Sequence, residues 1–329
     1  MLSESILNEA MHSACAEARK WLGATSPNPA VGAAALDADG QLLAVTAHQK
    51  AGELHAEVSL IAQARARGIL QNIHTLCLTL EPCNHQGRTP PCTRAIIEAG
   101  IKHVAVGTRD PNPHVKGGGL EFLRQAGIEV ASGINGDECQ QLIHAFAFAI
   151  RTNKPWVTLK RAFDFTNSMV PPSGRKVFTS PGSLRFAHRL RKRSDAILTG
   201  SGTILADNPL FTVREIADYA GKRRFLAILD RRRRVSDHYV QVARQRGLDV
   251  LIYQDVEMAF SDLARRGARD VLVEAGVTLS QAILDRDLWS VNVDIYRQEP
   301  HDRIETRFNA RTAIPFDVKS FRWEHVLPE

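Results

Sequence analysis

His55 and Glu57 stand two residues apart in "HAEVSL" (residues 55–60), and Cys83 and Cys92 close the two ends of "CNHQGRTPPC". Imidazole nitrogen and thiolate sulfur are donors that zinc takes readily, and three protein ligands with one open position is the catalytic pattern rather than the structural one. His55, Cys83 and Cys92 are therefore candidate ligands for Zn2+. Glu57 can lie beside such a metal without binding it, and a carboxylate there takes a proton from water and returns it to a leaving group. The competing arrangement is a closed zinc knuckle with His85 as fourth ligand, which leaves Glu57 without a task.

These residues need elements to hold them. Apolar residues at helical spacing predict a helix over 4–22, with Ile6, Ala10, Met11, Ala14 and Ala18 on one side. "VGAAALD" and "LLAVTAH" read as strands joined by "ADG", followed by a helix from about His55, a strand "HTLCLTLE" and a helix from about Pro91 to Ala99. A strand "HVAVGTRD", a helix "GLEFLRQAG", a strand "IEVASGI" and a helix over about 137–151 complete the first half. His55 and Cys92 thus fall at helix starts, where the dipole favours thiolates. The second half alternates again, with strands near 156–162, 196–200, 225–230, 249–253, 270–275 and 290–296, and helices near 181–192, 238–246, 257–267 and 278–285. Such alternation predicts α/β layers with largely parallel or mixed sheets. Two domains are expected, 1–150 and 151–329.

A length of 329 residues suits two domains, and 44% apolar with 24% charged residues is ordinary for a globular protein. No apolar run approaches a membrane span, and the opening residues lack a signal layout, so a cytoplasmic location is expected. Five cysteines do not make a disulfide framework; Cys77, inside "TLCLTL", reads as a buried small hydrophobe. Lys and Arg number 11 against 14 Asp and Glu in residues 1–150, but 31 against 22 in 151–329. The basic second half suits an anionic partner: a phosphorylated metabolite, NADPH or nucleic acid. Nucleic acid is the weaker of these, because aromatics make up only 6% and no stacking platform is evident.

H-x-E followed by P-C-x-x-C is the arrangement of zinc nucleobase deaminases; here eight residues separate the cysteines instead of two. The larger block is more specific. "SPNPAVG", "HAEV", "TLEPCNHQGRTPPC" and "DPNPHVKGGG" occur in that order, and together they resemble the deaminase half of the riboflavin-biosynthesis diaminopyrimidine deaminase/reductases, the RibD family. The resemblance implies a cytidine-deaminase-like α/β/α domain in which His55, Cys83 and Cys92 bind zinc and Glu57 shuttles protons. It also implies that Asn28 and His48 touch the substrate ring, and that His85, Arg88 and Asn112 hold its ribosylamino and phosphate parts. The substrate would be a phosphorylated pyrimidine, with ammonia leaving. Asn28 and Asn112, each between prolines, also suit turns.

"SDAILTGSGTILADNPLFTVR" (194–214) and "VLVEAGVTL" (271–279) resemble the reductase half of the same family. That resemblance implies a dihydrofolate-reductase-like α/β domain, NADPH as cofactor with Thr203 and Asp207 against it, and Arg191, Arg214 and Glu274 against substrate. Asp207 also suits a cap. It further implies a homo-oligomer, a dimer or tetramer. The chain departs from the family where "DFTNSMVPPSG" and "RKVF" replace its usual cofactor segment, where Arg231 replaces a serine, and across 291–318. These departures fall on cofactor contacts, so a divergent reductase is expected. They also motivate an alternative setting, a specialised azapteridine (toxoflavin-like) pathway drawing on the same pyrimidine.

Overall fold

The computed structural model describes residues 1–85, 90–112, 118–170 and 178–328. The chain divides into two compact units, one of residues 1–151 with 315–329 and one of residues 152–314.

The first unit runs α1 (Glu4–Arg19), β1 (Gly32–Leu36), β2 (Leu42–Ala47), α2 (Ala56–Ala66), β3 (Thr75–Leu80), α3 (Cys92–Glu98), β4 (His103–Thr108), α4 (Gly119–Gln125), β5 (Glu129–Ser132), α5 (Gly136–Leu142) and α6 (His144–Thr152). Its sheet has the order β2-β1-β3-β4-β5. β1 pairs antiparallel with β2 and β3, whereas β3, β4 and β5 are parallel. Side chains alternate across a strand, and here both faces are covered. Ala33, Ala35, Leu76, Leu78, Val104 and Val106 pack with α2, α3 and α4. Ala34, Leu36, Cys77 and Ala105 pack with α1 and α5. Cys77 is fully buried, as a small hydrophobe would be.

The expected helix over 137–151 is two helices, because α5 ends at Leu142 and α6 begins at His144. Residues 315–329, expected with the second half, pack instead on the first unit. Gln141, fully buried on α5, explains this. Its Nε2 donates to the Ser320 carbonyl at 3.0 Å, and its Oε1 accepts the Arg322 N–H at 3.0 Å. Arg19 reaches the Glu324 carbonyl at 2.8 Å.

The second unit runs β6 (Trp156–Phe163), α7 (Pro181–Arg193), β7 (Ala196–Gly200), α8 (Ser201–Asp207), β8 (Arg224–Leu229), α9 (Asp237–Gln245), β9 (Leu248–Tyr253), α10 (Val256–Arg265), β10 (Asp270–Glu274), α11 (Val277–Asp285), β11 (Val291–Tyr296) and β12 (Arg303–Phe308). The sheet order is β12-β11-β6-β10-β7-β8-β9, parallel throughout except for the antiparallel β12 at its edge. α10 and α11 cover one face and α8 and α9 the other. α8 and β12 are absent from the sequence reading. α8 is short and follows β7 without a loop, and β12 is exposed and charged, so neither leaves a periodic apolar signal. Among the described residues no helix is long and apolar enough to cross a membrane.

α1 lies flush on β1: a Cβ on Gly32 would fall 2.0 Å from the Ala14 carbonyl oxygen. Gly32→Ala is expected to lower the stability of this unit by about 1–3 kcal/mol, since backbone rather than a flexible side chain must move. An unchanged urea midpoint would show that α1 does not set that spacing.

Candidate active site

His55 occupies the N-cap position of α2, in extended backbone, and Pro91 occupies that of α3, so Cys92 is the first helical residue. Two helix N-termini therefore bring His55 and Cys92 together, and the loop after β3 adds Cys83. His55 Nδ1 lies 3.3 Å from Cys92 Sγ and 3.8 Å from Cys83 Sγ, and the ligand atoms of all three lie within 4.8 Å of one another. Tetrahedral bonds of the usual zinc lengths put neighbouring ligand atoms roughly 3.5–3.8 Å apart. The donor set and its spacing fit zinc. It is the one such His/Cys/Asp/Glu group found among the described residues.

The two thiols are shifted in opposite directions. A hydrogen bond from the Cys92 thiol, with further help from His55 and the Cys92 N–H (3.3 Å), pulls Cys83 down to about 4 despite burial. The same contact and burial push Cys92 up. The bond to Cys83 raises His55. A site of this kind releases protons as it takes up a divalent cation. Glu57 is 3% exposed, burial raises its carboxyl, and its Oε2 meets no donor among the described residues. A buried carboxylate with a raised proton affinity beside a metal-type donor set is a candidate proton carrier.

His48 and Asn28 lie beside His55. His48 Nδ1 donates to the Leu54 carbonyl at 3.0 Å, so its Nε2 faces the Asn28 amide at 3.4 Å as an acceptor. Burial lowers His48 from the ordinary imidazole value. The His48 ring meets the His55 ring edge-on at 5.4 Å. Asn28 is set by the Thr25 hydroxyl, which donates to its carbonyl at 3.1 Å. His85 is exposed, one residue past Asn84, whose Oδ1 accepts the Thr93 hydroxyl at 2.8 Å. The Asn112 N–H donates to Asp110 Oδ1 at 2.9 Å, an Asx turn made by the Asp110 side chain. Arg88 lies outside the described residues.

In the second unit a cavity of about 520 Å³ opens at the C-terminal ends of β6 and β10, where parallel α/β sheets bind ligands. Arg191, Arg214, Glu274, Thr203 and Asp207 all line it. Arg191 holds Glu274 through Nε (2.6 Å) and Nη2 (3.1 Å). Burial pushes Glu274 up, but the charges of Arg191 and Lys160 outweigh it and hold the carboxyl at about 2. Thr203 Oγ1 accepts the Gly276 N–H at 3.0 Å. Asp207 is the last residue of α8, where a negative charge opposes the helix dipole, so capping does not explain it.

Sequence reasoning missed Lys160 and Arg161, which also line this cavity. Lys160 Nζ sits 3.3 Å from Glu274 Oε1, and Arg161 grips Asp294 with two bonds of 2.8 and 2.7 Å. Two consecutive basic residues ending an apolar strand, in "VTLKRAF", were the available signal. Arg231 is exposed and donates to the Gln254 carbonyl at 2.9 Å.

Cys83→Ser is expected to weaken zinc binding by more than roughly 100-fold in chelator competition, since even outer-shell changes cost 10–100-fold. Cys77→Ser should leave it unchanged. Equal affinity of the two variants would remove Cys83 from the ligand set.

Residues 4–108 match the family described as "Cytidine and deoxycytidylate deaminase zinc-binding region", and residues 169–291 match the "RibD C-terminal domain". The riboflavin biosynthesis protein RibD of Aquifex aeolicus is 44% identical over 200 residues, 60% of this chain and 54% of that protein. That of Corynebacterium ammoniagenes is 34% identical over 284 residues, 86% of this chain and 83% of the relative. The chain thus spans about half the length of the first of these relatives and most of the second. The Thermotoga maritima diaminohydroxyphosphoribosylaminopyrimidine deaminase/5-amino-6-(5-phosphoribosylamino)uracil reductase superposes with a TM-score of 0.79 at 32% identity, covering 97% of this chain and 93% of that one. An Acinetobacter baumannii RibD structure gives 0.76 at 31%, covering 89% and 87%. The fold is therefore a cytidine-deaminase-like domain followed by a dihydrofolate-reductase-like one, and nothing among these relatives supports an azapteridine setting. A zinc-type donor triad at one pair of helix starts, a charged cavity in a second α/β unit and relatives matched across both units lead to one conclusion: the chain belongs to the RibD family.

Proposed function

We propose that the first unit hydrolytically deaminates a 2,5-diamino-6-ribosylamino-pyrimidinone 5'-phosphate, and that the second reduces the ribosyl group of the product with NADPH. The observation that carries the deaminase reading is Glu57, with an unpartnered Oε2 buried beside His55, Cys83 and Cys92. Zinc held by His55 Nδ1, Cys83 Sγ and Cys92 Sγ would supply the Lewis acidity that readies water for attack on the amino-bearing ring carbon. Glu57 Oε2 takes one proton from that water and gives it to the ring nitrogen as the oxygen bonds to the ring carbon. It then takes the second proton from the added hydroxyl and gives it to the amino group, so that the C–N bond breaks, ammonia leaves and the carbon becomes a carbonyl. Asn28, its amide held against His48, presents hydrogen bonds to the ring edge, and Asn112 with His85 and Arg88 receives the ribosyl phosphate.

The second unit supports the reductase reading through its cavity. Lys160, Arg191 and Arg214 offer positive charge for a phosphate, and Glu274 fixes the first two in place. NADPH, held against Thr203 and Asp207, would supply the hydride. The homo-oligomer belongs to the same reading, and so does a cytoplasmic site of action, which the five free cysteines suit.

Glu57→Gln tests the first step. The variant should keep its zinc, because Glu57 is not a ligand, and release ammonia from the pyrimidine at least about 100-fold more slowly. Ammonia release at the unaltered rate would take the proton-transfer role away from Glu57.

A further inference from the structure

Glu81 lies two residues ahead of Cys83, is only 9% exposed, and has no part in the chemistry above. Both its carboxylate oxygens are engaged. Oε2 accepts the Asp110 N–H at 3.2 Å, and Oε1 accepts the Leu120 N–H at 3.2 Å. Its own N–H donates to the Thr108 carbonyl at 2.9 Å. One residue therefore grips the connection between β4 and α4 at its entry and again at its exit.

At the entry the grip passes onward, since Asp110 Oδ1 accepts the Asn112 N–H at 2.9 Å. At the exit there is no slack: a Cβ on Gly119 would lie 2.0 Å from the Pro82 carbonyl oxygen. Backbone at Gly119 is thus pressed against the segment that leads directly to Cys83. Capping of α4 accounts for the bond to Leu120 alone. It does not account for the bond to Asp110, which precedes the helix by nine residues and contributes nothing to it.

We propose that Glu81 is a positioning residue of the deaminase site. By tying Asp110 and Leu120 to the Cys83 segment it fixes Asn112 relative to the metal ligands, and so sets the ribosyl-phosphate end of the substrate in register with the reacting carbon. The proposal rests on the deaminase reading, because that reading gives Asn112 its ligand. Misplacement of about 1 Å far from the bond being broken can matter as much as losing a contact.

Glu81→Gln keeps length and shape but replaces one acceptor oxygen by a donor. With the diaminopyrimidinone ribosylamino phosphate, the variant should retain zinc and show kcat within about threefold of wild type while KM rises roughly tenfold, the pattern of lost substrate binding. Asn112→Ala should raise KM as well, and adding Glu81→Gln to it should change KM little, because the two act as one unit. A lower melting temperature with unchanged KM would make Glu81 a structural residue and overturn the proposal, as would full additivity with Asn112→Ala. A wild type that releases no ammonia would instead overturn the deaminase reading. Calorimetry with ribose 5-phosphate would then still decide the role of Glu81: about tenfold weaker binding by Glu81→Gln supports it, and equal or absent binding overturns it.

Discussion

Two helices must begin at one point for this site to exist. α2 starts beyond His55 and α3 starts at Cys92, and only their convergence brings an imidazole nitrogen within 3.3 Å of a thiol sulfur. Helix starts carry unsatisfied N–H groups and partial positive charge, which favours thiolate over thiol. The Cys92 N–H shows this directly, since it donates to Cys83 Sγ. The convergence depends in turn on a sheet buried on both faces, with small residues in β1 so that α1 on one side and α2 on the other can approach closely. Close packing of the interior transmits that requirement to the site.

Glu57 lies in the first turn of α2, where the dipole favours its charge but burial disfavours it, and burial prevails. The outcome is a carboxyl raised above its ordinary value. The second unit solves a different electrostatic problem. There Glu274 is equally buried, yet Arg191 and Lys160 hold it ionised, so it works as a fixed anchor for two cations rather than as a proton carrier. The C-terminal turn of α7, which carries Arg191, is itself held by two basic side chains, of which burial lowers Lys222 to about 7. Arg224 Nε donates to the Arg191 carbonyl at 2.9 Å, and Lys222 Nζ donates to the Lys192 carbonyl at 2.8 Å. Positive charge at a helix C-terminus is the favourable sign. Two buried glutamates thus take opposite roles because their nearest charges differ.

Much of this was legible in the sequence because the residue types are restrictive. His-x-Glu and two cysteines leave few chemistries open, and strands such as "TLCLTL" and "DVLVE" announce themselves by unbroken apolar character. What escaped has a common physical cause. Glu81, Gln141 and Lys160 act through long-range polar contacts that follow no period in the sequence. Gln141 docks residues 315–329 onto α5 from far along the chain, and nothing local to either segment signals it. Lys160 looks like an ordinary strand-end cation until β10 places Glu274 beside it. Asp207 was readable either as a cap or as a cavity residue, and only its place at the end of α8 decides between them.

In the proposed deamination, water replaces the ring amino group at the His55, Cys83 and Cys92 site. Zinc-loaded protein given the diaminopyrimidinone ribosylamino phosphate in 18O-labelled water, with ammonia and product mass followed together, puts this to the test. One ammonia is expected for each labelled oxygen gained by the ring. Ammonia without label in the ring, or labelled product formed equally well by the metal-free protein, would contradict it.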